Sequence, residues 1–235
     1  MGRVFAITLL AYACGGAGLY AASRRADAVT RRERLIQFAV YSAIAAVVIA
    51  SGFAGQLGMI FLALAITGRG AYEIYGSLRQ PTAAFRTAVC TSYVLLGIAL
   101  LCFAIVVPPR PAVFTYVLVA AFEGFGGAAG QLWGRNPLAP GVAPAKTVEG
   151  TIGGAFAALL LAMALGSAAG LGLSSAAGAW AGIASAALAG DLTASWVKRR
   201  SGIQNFGRLL AGRGGVLDRF DSLLFAAPVA LLILR

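Results

Sequence analysis

Long apolar runs recur along this chain at about the length that crosses a bilayer. Spanning the hydrocarbon core takes roughly 20 mostly apolar residues per helix, and such runs lie near 4 to 22, 34 to 51, 53 to 68, 87 to 107, 112 to 132, 151 to 171 and 176 to 196. An eighth, 222 to 234, is short and contains Pro228, so it spans by thinning the bilayer or lies partly in the interface. The pattern predicts an all-α, polytopic integral membrane helix bundle with seven or eight transmembrane helices.

Composition points the same way. The chain is 60% hydrophobic and 11% charged, with a mean hydropathy of +0.84, whereas a soluble domain carries about 25% charged residues. A net charge of +11 would suggest nucleic acid in a soluble protein, but here the positions of the charges set topology. Loops 23 to 34, 69 to 86, 133 to 150 and 197 to 221 carry five, three, two and six Lys/Arg, 16 of the 19 in the chain. Every second connection is therefore basic, as expected if the basic loops are cytoplasmic and the N-terminus is outside. The first run also has features of a signal peptide, with Arg3 before it and Ala11 and Ala13 flanking Tyr12. Cleavage there would carry Arg24, Arg25, Arg31, Arg32 and Arg34 outside against the same charge bias, so the run is read as a retained helix.

Cys14, Cys90 and Cys102 stand singly in apolar runs, which indicates neither a disulfide framework nor a zinc site. The chain has no histidine, and this removes imidazole ligation and imidazole acid/base chemistry. Any catalysis must use carboxylates, cations, hydroxyls or metal.

Chemistry-bearing residues are concentrated in the second half. The first reads as scaffold, and its Glu73, flanked by Tyr72 and Tyr75 in AYEIYGSLR, reads as an interfacial residue. Glu123 sits near the middle of the run 112 to 132, where an ionised group costs roughly 2.5 to 3.5 kcal/mol on insertion scales. It either faces a polar cavity or is a buried carboxyl that is paired with an Arg or held protonated. Gly126, Gly130 and Gly134 follow at four-residue spacing, a pattern that lets helix backbones approach closely. The loop GRNPLAPGVAPAKTVEG contains Pro137, Pro140 and Pro144, so it is extended and stiff. It fixes Lys146 either as a surface anchor or as a ligand. Thr147 can cap the next helix, and Glu149 falls in that helix's first turn.

The richest stretch runs from Asp191 to Asp221, with three of the chain's eight acids among six Lys/Arg. Such a mixture suits a metal and a phosphate. Asp191, Ser195 and Lys198 lie four and three residues apart, the spacing that stacks side chains on one helix face. Gly212, Gly214 and Gly215 precede Asp218 and Asp221; such glycines permit an anion-cradling turn, and the two acids on one helix face suit Mg²⁺. The alternative is a solvated loop with salt bridges through Arg219.

In order and spacing these residues resemble the phosphatidate cytidylyltransferase (CDP-diacylglycerol synthase) family of integral membrane enzymes. That family's pattern runs roughly S-x-x-K-R, K-D, then G-H-G-G-x-x-D-R-x-D; here stand Ser195, Lys198, Arg199, Gly212, Gly214, Gly215, Asp218, Arg219 and Asp221, preceded by Gly190 and Asp191. Upstream, LAPGVAPAKTVEG is similar to the family's L-A-P-x-x-S-P-x-K-T-x-E-G segment through Leu138, Ala139, Pro140, Pro144, Lys146, Thr147, Glu149 and Gly150. The resemblance covers residues 111 to 235 and divides the chain into scaffold helices over 1 to 110 and a cytidylyltransferase-like catalytic region over 111 to 235. Five residues depart from the pattern. Gln204-Asn205 replaces Lys-Asp, Arg213 replaces His, Ala143 replaces the Ser before Pro144, and Glu123 stands where an Asp is expected.

The resemblance implies that the phosphate of phosphatidic acid, or a related lipid phosphate, attacks the α-phosphorus of CTP to give CDP-diacylglycerol and pyrophosphate in phospholipid biosynthesis. An anionic nucleophile needs no general base, so the lack of histidine is compatible with catalysis by positioning and charge neutralisation. It further implies Mg²⁺ at Asp191, Asp218 and Asp221, with Lys198 joining these acids as the catalytic set. Lys146, Ser195, Arg199, Arg219, Gly214, Gly215 and Glu123 form the substrate-binding set. The expected partners are CTP, the lipid phosphate, the bilayer and a second copy in a homodimer, without nucleic acid. The expected location is the inner, cytoplasmic membrane, with the site facing the cytoplasm. The departures leave two other readings open: an enzyme for another lipid phosphate or alcohol, and a catalytically degenerate scaffold or lipid transporter.

Overall fold

The computed structural model describes residues 28–78, 82–207, 209 and 214–235. The run from 4 to 22, Gly212 and Arg213 lie outside the described residues. Among those described, seven α-helices follow one another: α1 (Ala28–Phe53), α2 (Gly55–Ser77), α3 (Ala83–Val106), α4 (Pro109–Trp133), α5 (Val148–Leu165), α6 (Leu173–Arg200) and α7 (Leu217–Leu234). Between α4 and α5 the chain forms a small antiparallel hairpin, β1 (Pro137–Ala139) and β2 (Ala143–Thr147), with Pro137 opposite Thr147 and Ala139 opposite Ala143. The proline-rich segment is thus extended, as its three prolines require.

Five helices, α2 to α6, are long and apolar enough to cross a membrane. In α1 the apolar part is Ala39–Phe53, and α7 begins with the charged turn of Asp218, Arg219 and Asp221 and carries Pro228 within it. Large apolar side chains such as Leu57, Phe61, Leu64, Leu95 and Ile98 point away from the bundle. A water-facing surface rarely shows so many together, and lipid accommodates them.

Local chemistry explains most boundaries. Gly55 adopts φ 78° between α1 and α2, a left-handed turn that glycine makes without steric cost. Thr82 caps α3 by accepting from the Phe85 amide at 3.4 Å, and α4 opens on Pro109, where a missing N–H costs nothing. The run expected over 151 to 171 ends its α-helix at Leu165; a short 3₁₀ turn follows and closes at Gly170, φ 83°. The run expected over 53 to 68 is also corrected, because α2 continues to Ser77. Arg69 and Glu73 pair one turn apart on this extension, so the segment taken for a loop is helical and holds its charges on one face.

α4 is the central helix, with every residue from Pro111 to Val119 buried. Its glycines bring α5 into backbone contact: a Cβ on Gly126 would lie 3.2 Å from the Gly150 carbonyl oxygen, and one on Gly130 would lie 3.0 Å from Thr147 Oγ1. The glycine repeat is a packing device. Gly190 serves likewise between α6 and α7, where a Cβ would sit 2.9 Å from the Asp221 carbonyl oxygen. The C-terminal ends of α2 and α6, the hairpin after α4 and the start of α7 lie at one end of the bundle, joined by Glu73 to Val216 and Leu217, Lys198 to Asp218 and Arg199 to Val142.

Candidate active site

The hairpin brings Lys146 to that end. Its base is closed by Glu149 in the first turn of α5, which accepts from the backbone N–H groups of Arg135 (3.1 Å) and Asn136 (3.2 Å) and from Asn136 Nδ2 (2.6 Å). Thr147 caps α5 through the Gly150 N–H at 3.1 Å, as its position predicts. Arg199 at the end of α6 donates from Nε to the Val142 carbonyl at 3.3 Å and ties the hairpin's turn to that helix. So held, Lys146 forms an ion pair with Asp191 on α6 and stands 3.7 Å from Glu123 Oε1 on α4. Glu123 is neither isolated nor arginine-paired; its partners are Lys146 and Ser222, whose Oγ donates to Oε1 at 2.9 Å.

A second lysine organises the other two acids. Lys198 Nζ lies 3.1 Å from Asp218 Oδ1 and 3.8 Å from Asp221 Oδ2. Asp218 Oδ2 accepts from the backbone amides of Phe206 (2.9 Å), Gly207 (3.4 Å) and Gly215 (2.9 Å). Gly214, at φ 96°, passes so close that a Cβ there would lie 2.7 Å from Asp218 Oδ2. An anion is thus already cradled by the amides of Phe206, Gly207 and Gly215. The anion is the chain's own Asp218, and the Gly215 N–H is already committed to it.

The two clusters are continuous. Ser222 donates its backbone N–H to Asp221 Oδ1 at 2.9 Å and its hydroxyl to Glu123. Polar contacts thus run from Asp191 through Lys146, Glu123, Ser222 and Asp221 to Lys198 and Asp218. Four carboxylates against two ammonium groups leave a formal charge of −2. Ser195 lies one turn beyond Asp191 on α6 and is half-buried. Arg219 turns toward α1, where Nη1 donates to the Tyr41 hydroxyl at 2.8 Å.

The donor set fits a hard divalent cation in kind and charge, being all oxygen with a surplus of two negative charges. Asp191 Oδ2 is buried against the Lys146 ammonium. Yet among the described residues no three Cys, Asp or Glu side chains converge as a ready cage. The lysine ammonium groups stand between the acids.

Sequence reasoning missed Glu73. It is buried rather than interfacial, its side chain only 1% exposed, and it accepts from the amides of Val216 (3.1 Å) and Leu217 (2.9 Å) where α7 begins. The legible signal was Arg69 four residues earlier, an i, i+4 partner that implies a continued helix. Nothing local in the sequence indicated the distant amides.

Comparison with known proteins identifies the family. A model of the cytidylyltransferase family matches residues 1–235. The phosphatidate cytidylyltransferase of Aquifex aeolicus (strain VF5) is 38% identical over 106 residues, 45% of this chain and 39% of that protein. The phosphatidate cytidylyltransferase of Helicobacter pylori (strain ATCC 700392 / 26695) is 42% identical over 114 residues, 46% of this chain and 39% of that protein. That of Staphylococcus aureus (strain COL) is 36% identical over 107 residues, 45% of this chain and 41% of that protein. The matched part spans about two fifths of the length of these relatives. The chain belongs to the cytidylyltransferase family, and it is an all-α, multi-pass membrane protein.

Proposed function

We propose that this member of the cytidylyltransferase family transfers the cytidylyl group of CTP to phosphatidic acid or a closely related lipid phosphate, giving CDP-diacylglycerol and pyrophosphate. The observation that carries the reading is the linked set of Lys146, Glu123, Asp191, Lys198, Asp218 and Asp221, drawn from four elements to one end of an apolar bundle. At that end of the bundle a headgroup from the bilayer and a nucleotide from water would meet.

In the reaction a lipid phosphate oxygen bonds to the α-phosphorus of CTP as the bond to the β-phosphate's bridging oxygen breaks. The electron pair leaves with pyrophosphate. Lys146 and Lys198 are the ammonium groups nearest the acids; by turning from carboxylate to phosphate they would neutralise and orient the two anionic reactants. Arg199 at the rim and the half-buried Ser195 would hold the headgroup, with Arg contacts suited to phosphate. Mg²⁺, held by Asp191 and Asp221 with Asp218 beside them, would supply charge neutralisation of the triphosphate. The site would face the cytoplasm, where the basic connections belong under the positive-inside rule and where CTP is available.

Gln204 and Asn205 are exposed just ahead of the pinned Phe206, and their position at the rim favours a second reading, in which another lipid phosphate is the acceptor. Purified protein supplied with labelled CTP, Mg²⁺ and a panel of lipid phosphates distinguishes the two. The expected product is CDP-diacylglycerol from phosphatidic acid; no CDP-lipid from any acceptor overturns the proposal.

A further inference from the structure

We infer that Glu73, contributed by α2 from the first half of the chain, is a positioning residue for Asp218 and Asp221. The inference deepens the reading given above and rests on it for the effect on turnover. The Glu73 carboxylate is almost wholly shielded from water, yet both oxygens are used: Oε1 accepts from Val216 N at 3.1 Å and Arg69 Nε at 3.2 Å, and Oε2 accepts from Leu217 N at 2.9 Å. Asp218 is the next residue and Asp221 lies one turn further along α7. A carboxylate bound to free N–H groups at a helix start is favoured by hydrogen bonding and by the helix dipole. It therefore fixes where that helix begins.

The surrounding glycines show that the fit is built around this side chain. A Cβ on Gly207 would lie 2.7 Å from Glu73 Cδ and 2.9 Å from Gly215 Cα, and a Cβ on Gly215 would fall onto the Glu73 carboxylate itself. Gly207 and Gly215 are also the residues whose amides Asp218 holds. Two carboxylates, one from α2 and one from α7, therefore clasp the same pair of chain segments. If Glu73 is lost, the start of α7 is released from α2 and Asp218 is left to hold the segments alone.

The test compares Glu73→Gln with Arg69→Gln in the full-length protein, reconstituted in lipid nanodiscs. Glutamine keeps the size but offers one acceptor and turns an NH₂ toward an N–H. Two readouts are taken. Hydrogen exchange of the Val216, Leu217 and Asp218 amides needs no nucleotide; it is expected to accelerate on the order of tenfold or more in Glu73→Gln and to change little in Arg69→Gln, which leaves both amide contacts in place. Turnover with CTP and phosphatidic acid is expected to lose on the order of 10²-fold in kcat for Glu73→Gln, because small misplacements of reacting groups cost that much. The CTP KM is expected to move less, and the fraction of folded protein to stay unchanged.

Unchanged exchange in Glu73→Gln overturns the inference, as does accelerated exchange with undiminished kcat. A wild-type protein without transferase activity would sink the proposed function, while the exchange comparison would still decide whether Glu73 fixes the start of α7. Should Glu73→Gln fail to fold, Glu73→Asp keeps the charge on a shorter arm that reaches only one amide. Intermediate acceleration and an intermediate kcat are expected for it, and wild-type values in both would refute the role.

Discussion

Two lysine-centred clusters built from the same chemistry lie side by side in this protein at different depths. Lys146 and its partners Glu123 and Asp191 come from β2, α4 and α6, and their side chains are 24%, 28% and 14% exposed. Lys198, Asp218 and Asp221 are 14%, 5% and 12% exposed, with both acids on one turn of α7. The deeper cluster is also the more committed one. Asp218 uses one oxygen on three backbone amides and the other on Lys198. Among the described residues no backbone amide reaches Glu123 or Asp191, so an incoming phosphate can reorganise them at lower cost. Depth thus separates a part that shapes the site from a part that is free to receive substrate.

The sharpest way to break this division is at Asp221, which belongs to the deep cluster but has one oxygen turned only toward Lys198, at 3.8 Å. Asp221→Asn keeps the shape and can still accept the Ser222 N–H. It should cost on the order of 10³-fold in CDP-lipid formation while the thermal unfolding midpoint stays near that of the wild type. Full activity in this variant would remove Asp221 from the reacting set.

Asp218 should fail differently. In Asp218→Asn one oxygen can still serve the loop amides, but an NH₂ then faces the Lys198 ammonium in a site that water barely enters. The expected loss is roughly 1–3 kcal/mol of stability, read as a lower unfolding midpoint together with faster exchange at the Phe206, Gly207 and Gly215 amides. A midpoint that does not move would contradict the assignment of Asp218 to the framework.

The open cluster should show the reverse pattern. Lys146→Gln keeps an N–H donor toward Asp191 and Glu123 in place of the ammonium, so stability should fall by only about 1 kcal/mol. Its proposed phosphate contact should be felt instead, as a loss of roughly tenfold to a hundredfold in kcat/KM for CTP or lipid phosphate. A large drop in unfolding midpoint with unchanged kcat/KM would invert the comparison.

Which of these features could be read in the sequence follows from the range of the forces that make them. Apolar runs marked α1 to α7, because burial in lipid demands long uninterrupted helices, and proline chemistry marked the extended hairpin. Thr147 as a cap and the glycine packing of α4 were legible for the same reason: each depends on residues a few positions apart. Asp191, Lys198, Asp218 and Asp221 could be singled out because charges are rare in such a chain. Their pairings were hidden, since Lys146 meets Asp191 only after a hairpin and two helices have folded. Glu73 was hidden most completely. The apolar run alone ended its helix near residue 68, and the amides that Glu73 holds lie more than half the chain away at Val216 and Leu217. The bond from the Gly215 amide to Asp218 was hidden too, because a glycine-rich turn announces an anion without saying whose.

The smallest expected effect lies at Arg199, where the open cluster meets solvent. Its Nε reaches the Val142 carbonyl at 3.3 Å, the one described contact of that side chain with the hairpin's turn, and the residue is exposed. The hairpin's base is held independently by Glu149, through two backbone amides and the Asn136 side chain. Removing an exposed, single contact of this kind changes stability by no more than about 0.5 kcal/mol, so Arg199→Gln should leave the unfolding midpoint almost unmoved. The same exposure makes its guanidinium available to a lipid headgroup, and the variant should raise the KM for the lipid phosphate a few-fold while the KM for CTP stays constant. Steady-state kinetics with each substrate varied in turn distinguishes the two constants. If the CTP constant rises instead, the rim at Arg199 belongs to the nucleotide, and the lipid must approach the open cluster from the Glu123 side, between α4 and α7.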